Sequence, residues 1–183
     1  MNERIEITEE LVKKIGSLLD KGLVKGLGEA RPGEGCVEAM ICLALGLPHS
    51  DDPICVNQAV RSCKIRINDS RWSSNEKRGQ ALKKIAILQL NTKDTITNKQ
   101  FWLALKHELD NTDEQTRKWS AVAADADADA AAYAYAVAAD ADADADAADA
   151  DADAILLKFV GCFERALISL NVEGVKWLEF LSE

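Results

Sequence analysis

Apolar positions recur at helical spacing through most of this chain. Thr8 precedes Glu9 and Glu10, acids that the positive end of a helix dipole favours. Leu11, Ile15, Leu18 and Leu19 then form one face, which predicts a first helix ending near Lys21 and Gly22. A Gly-rich loop, 22–35, follows. Residues 36–46 (CVEAMICLALG) are apolar on nearly every side, so this second helix is expected to be deeply buried. Asp52 and Pro53 form a cap and first-position pair that predicts a third helix running to about Ile67, with Val56, Ala59, Val60 and Cys63 inward. Three capping boxes are expected at Ser73–Glu76, Thr97–Gln100 and Thr112–Gln115. The first opens a face of Leu82, Ile85, Ala86 and Leu88, and the second opens one of Phe101, Trp102, Leu105 and Leu109. Residues 155–170 are amphipathic, 171–174 form a turn, and Val175 to Leu181 reads as a short closing helix. Strand signals are few. The pattern predicts an all-α, multi-helix bundle of seven to nine helices.

Between the third capping box and the amphipathic tail lies the most unusual stretch. Residues 121–154 contain twenty Ala and ten Asp, and no Lys or Arg occurs between Lys118 and Lys158. Ala–Asp alternation resembles a strand pattern formally, but both residues are depleted in strands and Ala is the best helix former. Residues 121–130 recur identically as 136–145, a period of fifteen. Pentapeptide-repeat β-helices, which also repeat in multiples of five, need a bulky apolar residue in each five, and this stretch lacks one. A long Ala/Asp-rich helix or helical hairpin is therefore expected, with a break near Tyr133–Val137, since one continuous helix would outrun a compact chain. On a helical wheel Asp125, Asp129, Asp140, Asp144 and Asp151 share one side, while Asp127, Asp142, Asp146, Asp149 and Asp153 share roughly the opposite one. Ala130, Ala134, Ala141 and Ala148 lie between them on a face that continues into Ile155 and Phe159; Ala132, Ala139 and Ala150 form a second. Close neighbours are expected on the Ala faces, with both acidic sides looking outward.

Composition sharpens this picture in one respect. The net charge is −9, yet residues 1–120 carry 19 basic and 17 acidic groups, a net of +2. The acidity is a local patch. Two units are expected, a helical bundle over 1–120 and the Ala/Asp helix with its amphipathic tail over 121–183, packed as one. A charged N-terminus, the lack of an 18-residue apolar run and an odd count of five Cys predict a cytoplasmic protein with reduced thiols and no membrane span.

Conventional chemistry finds little support. Cys36 follows the Gly-rich loop at a helix N-terminus, where a thiol pKa is lowered, and His49 with Asp51 or Asp52 completes an imaginable set. Cys36 and His49 stand at opposite ends of a helix, roughly 15 Å apart, beyond hydrogen-bond reach. Cys36, Cys42, His49, Cys55 and Cys63 have no zinc-type spacing. The Gly-rich loop with Lys25 and Arg31 matches neither phosphate-binding motif. No catalytic set, metal site or cofactor is expected. The cations Arg61, Lys64, Arg66, Arg71, Lys77, Arg78, Lys83 and Lys84 are expected to face the Asp-rich helix of this chain or of a neighbouring subunit.

Gly35–Ala39, Gly46–Asp51, Trp72–Asn75, the Ala-rich stretch and a late Trp-Leu pair together resemble a set of uncharacterised bacterial and phage proteins. The Ala-rich repeats are also similar to those of some toxin-immunity proteins. That resemblance implies a defence, counter-defence or immunity role and transfers no site residue. The leading expectation is a non-enzymatic acidic interaction protein, an immunity or anti-defence inhibitor type. All ten Asp residues above would meet a basic protein surface, such as that of a nucleic-acid-binding protein, with no direct contact to nucleic acid and none to a membrane. Two alternatives stand beside it. One is a small enzyme or ligand-binding protein using the Gly-rich loop, Cys36 and His49. The other is a scaffold or homo-oligomerising helix that uses its Ala faces.

Overall fold

The structure is a computed structural model that describes residues 4–121, 141, 143, 144 and 152–181. The described chain is an all-α bundle: α1 (Glu9–Leu19), α2 (Val37–Leu45), α3 (Gln58–Asn68), α4 (Asn75–Leu88), α5 (Asn98–Thr112), α6 (Glu114–Ala121), α7 (Ala152–Ser169) and a closing 3-10 helix (Glu173–Phe180). No strand occurs among the described residues; an isolated antiparallel bridge pairs Gly28 with Gly35 inside the Gly-rich loop.

The caps show how sequence sets the helix starts. Thr8 accepts from the Leu11 N–H and opens α1 as expected. Thr97 and Gln100 form the reciprocal box that opens α5. Two other starts lie one residue later than the motif suggests. Ser74, not Ser73, caps α4 by accepting from the Lys77 N–H. Thr112 closes α5, and Asp113 opens α6, its carboxylate accepting from the Thr116 N–H at 2.9 Å while Thr116 Oγ1 accepts from the Asp113 N–H at 3.0 Å. The start of α3 is a larger correction. Asp52 and Pro53 do not open it; residues 53–56 form a turn, and Asn57 caps the helix. Asn57 wins because its position is tied from elsewhere. Its N–H donates to Thr92 Oγ1 and its side-chain amide donates to the Ile96 carbonyl.

The core gathers one face of each helix. α2 is buried at seven of its nine positions, as its pattern predicts. Trp102, Phe101, Phe159 and Phe163 fill the space between α5 and α7, with the Phe101 and Phe163 ring centroids 5.1 Å apart. Burial of such aromatic side chains supplies much of the stabilisation of a core this size. α7 packs on both α4 and α5, so the tail after the Ala–Asp stretch belongs to the same core as residues preceding it. Two helices meet backbone to backbone where glycine permits it. A methyl group at Gly79 of α4 would overlap the Leu19 carbonyl oxygen at the end of α1.

Candidate interaction surface

Of the ten aspartates that the sequence nominates, Asp144 and Asp153 are described. Asp125, Asp127, Asp129, Asp140, Asp142, Asp146, Asp149 and Asp151 lie outside the described residues, as do Tyr133–Val137 and the expected break.

Ala141 and Asp144 are both helical, one turn apart, so they share a face. Ala141 is fully buried, in keeping with the Ala face read from the wheel. Asp144 turns to the body of the chain. Its Oδ2 accepts from Trp119 Nε1 at 2.7 Å and, more distantly, from Gln115 Nε2 at 3.4 Å. Trp119 is itself buried, its ring tilted over Phe159 at 6.1 Å between centroids. A buried indole N–H needs an acceptor, and Asp144 supplies it. Lys158 steadies the donor side by bonding Gln115 Oε1 at 2.9 Å and pairing with Asp113 at 2.8 Å.

Asp153, in the first turn of α7, does the same against the start of α4. It accepts from the Ser73 N–H at 2.9 Å, the Ser73 hydroxyl at 2.5 Å and Lys77 Nζ at 2.8 Å. Partial burial opposes its charged form, and the bonds from Lys77 and Ser73 outweigh that, holding its pKa at about 2. At both positions the carboxylate faces a partner within the chain, a departure from the outward orientation the wheel suggests. The missed signals were Trp119, whose indole would need an acceptor, and the spare cap residue Ser73.

Several of the cations of residues 61–84 pair with acids on different elements, and Arg78 bonds neutral acceptors. Lys77 meets the Ala–Asp stretch at Asp153. Arg61 pairs with Asp51 and Asp52, and Lys83 with Asp20. Arg78 donates to the Leu23 carbonyl and to Asn75 Oδ1. Lys64 is the surprise, because both it and Glu38 of α2 are fully buried, 2.8 Å apart. The contact is an ion pair without the alignment of a hydrogen bond, and Gln89 Nε2 donates to Glu38 Oε2 at 3.1 Å. Burial raises the Glu38 carboxyl pKa and lowers that of the Lys64 ammonium, each opposed by the other's charge. Glu38, a single charge inside an otherwise apolar helix, was the legible half of this pair.

The structure does not assemble the thiol chemistry. Cys36 caps α2 with its sulfur, which accepts from the Ala39 N–H, and burial raises its pKa despite that bond. His49 is exposed and bonds the Gly28 carbonyl through Nε2 at 3.0 Å, fastening the Gly-rich loop. All five cysteines are free and buried. Burial lifts Cys42 to about 11 and raises Cys63 further. Among the described residues no group of three or more His, Cys, Asp or Glu is placed to hold a metal, and no helix is long and apolar enough to cross a membrane.

Surface clefts of appreciable size are found among the described residues. One of about 290 Å³ is lined by Trp72, Lys77, Gln80, Ala81, Asp153 and Leu157. One of about 580 Å³ runs between α4 and the 3-10 helix, past Lys83, Lys84, Leu178 and Leu181. A third, about 440 Å³, lies between Arg4, Ile96 and the 3-10 helix. These clefts among the described residues are lined by no cysteine or histidine. Comparison with known protein families, with curated proteins and with solved structures returns no match to this chain.

Proposed function

We propose that the chain is a non-enzymatic acidic interaction protein whose Asp–Ala stretch engages the basic surface of a protein partner. The observation that carries this reading is the concentration of charge: ten Asp in residues 121–154, with no Lys or Arg between Lys118 and Lys158. The organisation of the body supports it. The stretch leaves α6 and re-enters at α7, and both of these helices are packed through Trp119 and Phe159. A highly charged segment tethered at both ends to a packed core is suited to steering and holding a cationic surface. The chemistry of such a partner is that of a protein built to hold phosphate backbones, for which rows of carboxylates substitute. An inhibitor or immunity role against such a partner follows from the same charge argument.

The buried and pKa-raised Cys36, together with the loop-fastening role of His49, gives no support to an enzyme. The scaffold reading has one observation in its favour, since Ala141 is fully buried and an Ala face admits close helix approach. The two are separated by a pull-down from lysate with wild type beside a variant carrying Asp→Asn at 140, 142, 146 and 149. The interaction reading expects a basic protein retained by wild type at low salt and lost both in the variant and at high salt. Retention that ignores the substitutions and the salt supports the scaffold reading instead.

A further inference from the structure

Asp144 and Asp153 belong to the same acidic stretch, yet each is bound by the body of its own chain in a different way. Asp144 is held by neutral donors, the buried Trp119 indole and the Gln115 amide. Asp153 is held by the Ser73 N–H and hydroxyl and by the ammonium of Lys77, which is 59% exposed. The first pair of donors sits on α6, before the stretch; the second sits at the start of α4.

We infer that these two aspartates are positioning residues, which fix where the acidic stretch rejoins the core, and that they are not part of its partner-facing surface. This inference rests on the interaction reading above. It divides the ten candidate aspartates into two anchors and eight others. Three internal donors occupy most of the roughly four lone-pair sites of the Asp153 carboxylate, and two occupy Oδ2 of Asp144 and turn that carboxylate toward the core. Anchors lower the ordering cost of binding, because the two anchored positions are placed before the partner arrives. They also differ in kind. A contact to a half-exposed ammonium is screened by salt, whereas a bond to a buried indole is not. Salt therefore loosens the Asp153 anchor and spares the Asp144 anchor.

The test compares substitutions that separate the charge of Asp144 from its role as an acceptor. Asp144→Asn keeps an oxygen for Trp119 and loses the charge. Trp119→Phe keeps every acidic residue and loses the donor while retaining a ring against Phe159. Binding is measured with poly-L-lysine of fixed length at low salt, beside Asp142→Asn as a control for simple loss of charge. The expected result is that Asp144→Asn weakens binding less than Asp142→Asn does, while Trp119→Phe weakens it about fivefold or more. Equal losses in Asp144→Asn and Asp142→Asn, or wild-type affinity in Trp119→Phe, would overturn the anchor role.

A second readout needs no partner. The indole N–H resonance of Trp119, assigned from the Trp119→Phe variant, is expected to hold its position and its protection from solvent exchange in Asp144→Asn and to lose both in Asp144→Ala. An unchanged resonance in Asp144→Ala overturns the anchor directly, whatever binds. Failure of wild type to bind poly-L-lysine at all, with the resonance behaving as expected, counts against the interaction reading and leaves the anchor standing. Thermal melts identify any variant that has simply unfolded.

Discussion

Removing one member of the Glu38–Lys64 pair should damage this fold more than any single surface change. Both side chains are wholly buried, and beyond their 2.8 Å contact the described partner is the Gln89 amide. Lys64→Met leaves a carboxyl in the core, and Glu38→Gln leaves an ammonium there. Each is expected to cost about 3–5 kcal/mol, because the survivor is a buried charge without compensation. That is a large part of a stability of about 5–15 kcal/mol. The double variant Glu38→Leu, Lys64→Met is expected to fall within about 1 kcal/mol of wild type or to exceed it, since apolar replacements of a buried pair are often neutral or stabilising. The pH dependence gives a sharper signature. In wild type the raised Glu38 and lowered Lys64 pKa values bias stability in opposite directions as pH changes. In Lys64→Met the raised Glu38 value remains, so above the ordinary carboxylate range the folded state binds more protons than the unfolded state, and stability rises as pH falls toward that range. In Glu38→Gln the lowered Lys64 value remains, so below the ordinary ammonium range the unfolded state binds more protons, and stability falls as pH falls from that range. Either slope is limited to about 1.4 kcal/mol per pH unit for one proton. Urea unfolding followed by circular dichroism at several pH values reads all of this. Single variants that each lose less than about 1 kcal/mol and keep the wild-type pH slope would refute the reasoning, because the pair would then be solvated.

Three further outcomes follow from the geometry. Asp153→Asn is expected to cost about 1 kcal/mol at pH 7, a figure discounted for the exposure of Lys77. Because the folded pKa of Asp153 is depressed to about 2, that difference is present above the ordinary carboxylate range and disappears as pH falls through about 2, in chemical unfolding across that range. Thr97→Ala removes the cap of α5 and its reciprocal bond with Gln100, and should lower stability by about 1 kcal/mol in the same assay. Gly79→Ala drives a methyl group into the Leu19 carbonyl and is expected to lose on the order of 3 kcal/mol, whereas Gly26→Ala, which meets no neighbour, loses much less despite its positive φ.

What could be read from the sequence divides by range. Thr8, the Thr97–Gln100 box and the apolar wrap of α2 are local signals, and the structure keeps them. The caps at Ser74 and Asp113 moved by one residue because two adjacent residues were each chemically able to cap. Long-range demand made the choice at α4, where Ser73 is taken by Asp153. The start of α3 depends on Asn57 reaching Thr92 and Ile96, contacts that no local pattern encodes. The wheel placed Ala141 correctly on a buried face but could not assign solvent to the acidic sides, since that depends on the Trp119 indole. Lys64 was legible as a cation and not as a core residue, because its acid lies on α2.

A basic surface of the kind that holds nucleic acid is the proposed partner of the Asp–Ala stretch. Competition tests it most directly. The protein captured by wild-type chain at low salt is challenged with increasing double-stranded DNA, beside capture by the Asp→Asn variant at 140, 142, 146 and 149. DNA is expected to release the captured protein in a dose-dependent way, and the variant is expected to capture little of it. Capture that survives excess DNA and persists in the variant would contradict the account, and the Asp–Ala stretch would then be a scaffold packed through its Ala faces.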